Sequence, residues 1–307
     1  MVTRLKNGIK RKLANFLATD SSYHFLVQDW SSINDLGVLE KVFSTTFFQF
    51  DLIPVQPNLE NYRNVLVLSP HQDDESIGAG GLLLKLAAKG ANLHVLYTTD
   101  GAQNNLGISV AESVELRNKE AKKALSYIGA SFHQMKVSNI RPTISLENVK
   151  ELSAYIHRLN PDLILVPWFL DTPVKHRLAN HMLYLAHRRK PWKGDCEIWG
   201  YEVHNHLYPN IAIDITKEID RKTEMITCFE SQNQSFKDYP HITKGLNAYN
   251  SKFLKGADFA ELYFGLPHEE YLGLVEKFFL TNKEQIYRGD DQYVRNMKEL
   301  EKEIVTA

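Results

Sequence analysis

The sequence predicts an α/β fold, Rossmann-like in having a mostly parallel sheet with helices on both faces. Three observations lead there. Residues 65–68 and 163–167 are short, wholly apolar runs, the pattern of strands buried on both sides. Helical stretches with one apolar face alternate with them through the middle of the chain. Acids and histidines gather where these runs end, which is where open parallel sheets bind their ligands.

The first strand, 65–68, stops at Ser69-Pro70-His71-Gln72-Asp73-Asp74-Glu75. Gly78, Gly80 and Gly81 follow, and a helix is expected over 82–88, closed by Lys89-Gly90. A second strand, 93–98, runs into Thr99-Asp100-Gly101, and a helix over 113–128 ends at Gly129. A further helix, 145–159, turns at Asn160-Pro161-Asp162 into the strand 163–167. Later, 211–215 reads as a strand and 217–229 as a helix. Asp100 and Asp214 are expected to shape turns rather than do chemistry.

These elements divide the chain into an N-terminal extension (1–62), a main domain (63–270) and a charged C-terminal segment (271–307) that reads as solvated helix. The extension ends in a connector, 51–57, that contains Pro54 and Pro57. Its first 17 residues place Leu5, Ile9, Leu13, Phe16 and Leu17 on one stripe beside Arg4, Lys6, Lys10, Arg11 and Lys12. Such a helix packs on its own protein or on a partner subunit; peripheral contact with anionic lipid is the alternative.

Composition narrows the function classes. Of 307 residues, 43% are apolar and 24% charged, enough to bury a sizeable core. A formal net charge of −1 gives no general attraction for nucleic acid, and no nucleic-acid-binding signature is present. Cys196 and Cys228 form no metal or disulfide pattern. With no apolar run long enough to cross a membrane and no secretory pattern at the start, a cytoplasmic protein is expected.

The strand end at 70–75 carries the chemistry. Three acids beside a histidine repel one another unless a cation or a basic partner is present. His71 and Asp74, three residues apart in a turn entering a helix, can point at one ion, and Asp73 between them can face a water on it. A third ligand has to come from elsewhere, and the histidines after the strand 163–167, His176 and His181, are the candidates. Two imidazoles and one carboxylate suit Zn²⁺ hydrolysis and also non-haem ferrous iron.

At these residues the chain resembles the LmbE-like or PIG-L-type N-deacetylases, whose strand-end motif is commonly His-Pro-Asp-Asp-Glu. The resemblance extends over Thr98-Thr99-Asp100-Gly101, Arg117 with Glu120, His176-Arg177, Asn210 to Thr216, Lys222, Ser231-Gln232 and Phe259 to Phe264. It implies an enzyme that hydrolyses the N-acetyl group of an N-acetylglucosamine-type sugar or conjugate. It also implies His71, Asp74 and His176 as ligands of a divalent metal (zinc, with ferrous iron as the alternative), Asp73 as general base and Arg117 as a substrate contact.

Two departures matter. The family's second histidine, three residues before the ligand, is here Pro173, which leaves His181, His204, His206 or Asp171 to protonate the leaving amine. An alternative register puts His181 on the metal and His176 in the acid role. A non-catalytic sugar-binding or assembly protein that keeps the fold is the alternative to an enzyme. An iron oxygenase is disfavoured by the alternation of strand and helix. The partners expected are an amino sugar or glycoconjugate, with self-association left open.

Overall fold

The computed structural model describes residues 54–103, 107–192, 194–233, 238–286 and 291–306, together with Lys41 and Thr45. The basic stripe over residues 1–17, and most of the N-terminal extension, lie outside the described residues.

Seven strands, β1 (Asn64–Ser69), β2 (Asn92–Tyr97), β3 (Ser131–Gln134), β4 (Leu163–Pro167), β5 (Glu197–Tyr201), β6 (Ile211–Asp214) and β7 (Ala260–Pro267), form one sheet. Their order is β3-β2-β1-β4-β5-β7-β6. The first five run parallel, and β7 is antiparallel to both β5 and β6. From β1 the chain builds outward to β2 and β3, then returns to lay β4 on the other side of β1. The order therefore reverses between β1 and β4, and a crevice opens beyond their carboxyl ends.

Apolar side chains on successive strand residues fill opposite faces. Val65, Val67, Leu163 and Leu165 pack with Leu82, Leu83 and Leu86 of α1 (Asp74–Ala88) and with Ala121 and Leu125 of α2 (Val110–Leu125). Leu66, Leu68, Ile164 and Val166 pack with Val149, Leu152 and Ile156 of α3 (Leu146–Leu159) and with Leu183 of α4 (Val174–Arg189). This is why both central strands read as unbroken apolar runs. Helices α2 and α3 each start at a serine capping box, Ser109 with Glu112 and Ser145 with Asn148.

Three points of the sequence reading need correction. Helix α1 begins at Asp74 rather than at residue 82, because Gly78 and Gly81 lie inside it as contact points rather than before it as a loop. A Cβ on Gly78 would run into the Tyr201 ring, and one on Gly81 would meet Ile215 Cγ2 at 2.5 Å. Strands β3, β5 and β7 were not read from the sequence. Strand β3 is a short edge strand with an exposed first residue and no fully buried position, so it lacks an apolar signature. Finally, the charged C-terminal segment is not a solvated appendage. Helix α7 (His268–Ile286) buries Tyr271, Val275, Phe278 and Phe279, and α8 (Asp291–Thr306) buries Met297, Leu300 and Ile304, in the same core as Trp168.

Two further helices, α5 (Ile219–Thr227) and α6 (Tyr239–Asn250), complete the described elements. At the N-terminal side, Val55 bridges Ile211, while Leu59 and Tyr62 are buried against the sheet. No described helix is long and apolar enough to cross a membrane.

The close seat of α1 gives a test. Gly78→Ala should lower stability by about 1–3 kcal/mol, since the methyl group has no space beside Tyr201. Chemical denaturation of the purified variant measures it.

Candidate active site

The chain leaves β1 at Ser69 and enters α1 at Asp74, and the turn between carries His71 and Asp73. The turn is drawn tight by its own acids. Asp74 Oδ2 accepts the His71 amide at 2.9 Å and lies 3.0 Å from His71 Nδ1. Glu75 Oε2 accepts the Ser69 hydroxyl at 3.0 Å and the Asp73 amide at 3.2 Å. Asp73 is thereby held at φ 145°, a backbone conformation that costs a non-glycine residue of order 1–3 kcal/mol.

From the other side of the crevice, His176 projects from the first turn of α4 and is fully buried. Its Nδ1 is 2.9 Å from Asp171 Oδ2, which fixes the ring and turns Nε2 toward the β1 turn. Nε2 lies 3.3 Å from Asp74 Oδ2 without an aligned hydrogen bond, so this buried nitrogen is unsatisfied by the protein. His71, Asp74 and His176 each offer one ligand atom, all within 4.8 Å of one another. Two imidazoles and a carboxylate on one face, with a buried ring nitrogen lacking a donor or acceptor, fit a divalent cation.

The electrostatics follow from this crowding. Burial raises a carboxylate, yet His176 and His71 together hold Asp74 well below the usual carboxylate range. Burial, with Asp74 and Glu75 close by, pushes Asp73 well above it, despite the Arg117 guanidinium. For His176, burial lowers the imidazole, but Asp74 and Asp171 outweigh it and raise the group to about 10. His71 is lowered by burial, more than Asp74 restores.

His71, Asp73 and Asp74 line a cavity of about 510 Å³, together with Ile77, Gln103, Arg117, Asn139, Lys175, His204, Gln232 and Tyr239. Arg117, from α2, is buried and donates from Nη2 to the Gln72 carbonyl, with the Asp73 carboxylate 3.5 Å away. The expected substrate contact is thus also a brace for the turn. Gln72 itself sits against Gly101, which at φ +69° leaves no space for a Cβ.

The remaining candidates separate by position. His204 lines the cavity, its ring 5.3 Å from that of His176. Asp171 is buried behind His176. His206 lies 3.6 Å from Glu202 and lines a separate cavity. His181 requires correction, both as alternative ligand and as acid: its ring stacks on Phe279 at 4.2 Å, and its Nε2 is 3.2 Å from Glu301. Five residues along a helix is a rotation of about 140°, so His176 and His181 cannot share a face. Asp100 and Asp214 do shape turns, accepting the amides of Ala102 and Thr216 respectively.

Sequence reasoning missed Lys175, Gln103, Asn139 and Tyr239 as cavity residues. No local pattern marks them, since each comes from a loop or helix start whose position depends on the sheet. The clamp by Glu75 was foreshadowed by its place beside two other acids. The pairing of Gln103 Nε2 with Gln232 Oε1 at 2.6 Å gives Gln232 a place in the wall.

Two predictions arise from this geometry. Asp73→Gly should be more stable than Asp73→Ala by about 1 kcal/mol or more, because glycine alone adopts the positive φ without strain; paired denaturation curves measure it. In the metal-free protein, the raised His176 stabilises fully below about pH 6.5, its unfolded value, and that contribution is lost as pH rises through about 10. Stability should therefore fall over that window. Cation binding near neutral pH should release a proton, seen as a dependence of the calorimetric heat on buffer ionisation enthalpy.

With the geometry described, comparison with known proteins places the chain. Residues 66–187 match the family model described as PIG-L: GlcNAc-PI de-N-acetylase. A 4-oxalmesaconate hydratase of Pseudomonas putida is 23% identical over 201 residues, 59% of this chain and 78% of the relative. The diacetylchitobiose deacetylase of Thermococcus kodakarensis is 27% identical over 131 residues, 42% of this chain and 49% of the relative, so about half of that protein is matched. The N,N'-diacetylchitobiose deacetylase structure from Pyrococcus horikoshii superposes with a TM-score of 0.62 at 22% identity, covering 78% of this chain and 96% of that one, which establishes the shared fold. The match over residues 66–187 is to the same family that the strand-end motifs resemble.

Proposed function

We propose that the protein is a metal-dependent N-deacetylase that hydrolyses the N-acetyl group of an N-acetylglucosamine-type sugar or conjugate. The observation that carries the reading is the convergence of His71, Asp74 and His176, with Asp73 beside them, next to a cavity large enough for a sugar that His71, Asp73 and Asp74 line. Relatives named deacetylases of acetylated amino sugars support it. When bound by the three ligands, a divalent cation supplies Lewis acidity, polarising the acyl carbonyl and making water more acidic.

The chain's own residues do the rest. Asp73, whose carboxyl is raised by burial and by Asp74 and Glu75, takes a proton from the attacking water. Arg117 holds the turn that presents Asp73 and limits where its carboxylate can swing. His204 is our choice to deliver a proton to the departing nitrogen, since it lines the cavity beside His176. Water and the amide then give acetate and the free amine.

Metal analysis of purified protein should find about one zinc or iron per chain, lost in His71→Ala and in His176→Ala. Acetate release from N-acetylated sugars should fall by about 100- to 10,000-fold in Asp73→Asn while the metal stays. Appreciable remaining turnover would reject Asp73 as base. The similarity to a hydratase makes a second assay useful: addition of water to an unsaturated carboxylic acid, with no acetate released from any sugar, would favour that chemistry. Failure to bind metal or to turn over either substrate would favour a sugar-binding protein.

A further inference from the structure

The deacetylase reading does not say which N-acetylated compound enters the cavity, and Lys175 bears on that choice. Lys175 stands in the first turn of α4, beside His176, and lines the cavity. Its side chain is partly buried, yet makes no hydrogen bond or ion pair within 4.0 Å among the described residues. The acids that act on it from a distance are Asp74 and Asp100. Both are committed elsewhere: Asp74 Oδ2 to His71 and His176, and Asp100 Oδ1 to the amides of Ala102 and Asn139.

The lining contains two carboxylates among the described residues, Asp73 and Asp74. Asp74 faces the imidazoles, and Asp73 has Arg117 at 3.5 Å. Lys175 is therefore a cation beyond those the local acids engage. The nearby wall adds neutral hydrogen-bonding groups, Gln103, Asn139 and Gln232, and the first turn of α4 holds no acid. An ammonium drawn partly out of water without a close carboxylate costs free energy, and an anionic group on the substrate would offset that cost through a charge-assisted hydrogen bond.

We propose that Lys175 is a specificity-determining residue and that the substrate carries an acidic group, a phosphate or a carboxylate, on or next to its N-acetylated sugar. This rests on the deacetylase reading. A compact ammonium on a flexible stem accepts either anion, whereas a guanidinium fork is more demanding in geometry.

The test compares kcat/KM for acetate release from N-acetylglucosamine, its 1-phosphate, its 6-phosphate and its glycoside with a hydroxy acid. Wild type should prefer at least one acidic compound by roughly 10- to 100-fold, mainly through KM. Lys175→Met should bring that ratio to about one, Lys175→Arg should restore part of it, and added salt should shrink it. In an Asp73→Asn background, which binds without turnover, calorimetry should show the same loss of affinity for the acidic compound on Lys175→Met. Preference for phosphate or for carboxylate supports the proposal and names the anion. Equal use of neutral and acidic sugars by wild type, or a preference that survives in Lys175→Met, overturns it while the deacetylase reading stands. No acetate from any of these compounds overturns both.

Discussion

Asp73, Asp74 and Glu75 are buried side by side at the end of β1, and each needs a different compensation. Asp74 is matched by two imidazoles. Glu75 is held by hydroxyl and amide donors, from Ser69, Ser76 and the Asp73 backbone. Among the described residues Asp73 has a guanidinium at 3.5 Å and the more distant His176, and stays raised by burial and by Asp74 and Glu75. Carboxylates pressed together in low dielectric separate in acidity, and the one least compensated becomes the best proton acceptor. The same crowding forms the His-Asp-His face proposed to hold a cation and presents beside it the carboxylate proposed as base.

Holding that turn in place requires α1 to sit close to the sheet, and a second buried charge network does so from the far side. Glu261, on β7, accepts the amides of Gly81 and Leu82 at 2.7 and 2.8 Å and the Lys222 ammonium at 2.7 Å. Asn247 and Tyr263 complete the set. A buried ion pair of this kind is weak evidence for stability but fixes geometry, because each partner left alone would be a costly buried charge. The glycines of α1 allow the helix to reach this network. Thus the late residues Lys222 and Glu261, far from the cavity in sequence, set the position of the helix whose first turn carries Asp74.

The cavity lies at the place where the strand order reverses. His71 follows β1 and His176 follows β4, two strands adjacent in the sheet but nearly a hundred residues apart in the chain. Parallel pairing brings their ends to one level, and α1 and α4 leave toward opposite faces, so side chains from both helix starts can meet in the crevice. Asp171 and His204, from the loops after β4 and β5, then close the back of the site.

By itself the sequence determined the parallel strands β1, β2 and β4 and the turn chemistry. Val65 to Leu68 and Leu163 to Pro167 are legible because a strand buried on both faces must be apolar throughout, and His71, Asp73 and Asp74 are legible because their relation is local, within one turn. The glycines of α1 misled, since a residue without a side chain marks a loop and a close helix contact alike. The choice between His176 and His181 was decided by tertiary structure, because both lie on one helix and only its packing selects the face turned to the cavity. Phe279 and Glu301, more than ninety residues later, claim His181. Lys175 was equally hidden: a lysine at a helix start is ordinarily solvated, and its partial burial in the cavity wall depends on strands and loops that meet there only once the sheet is formed.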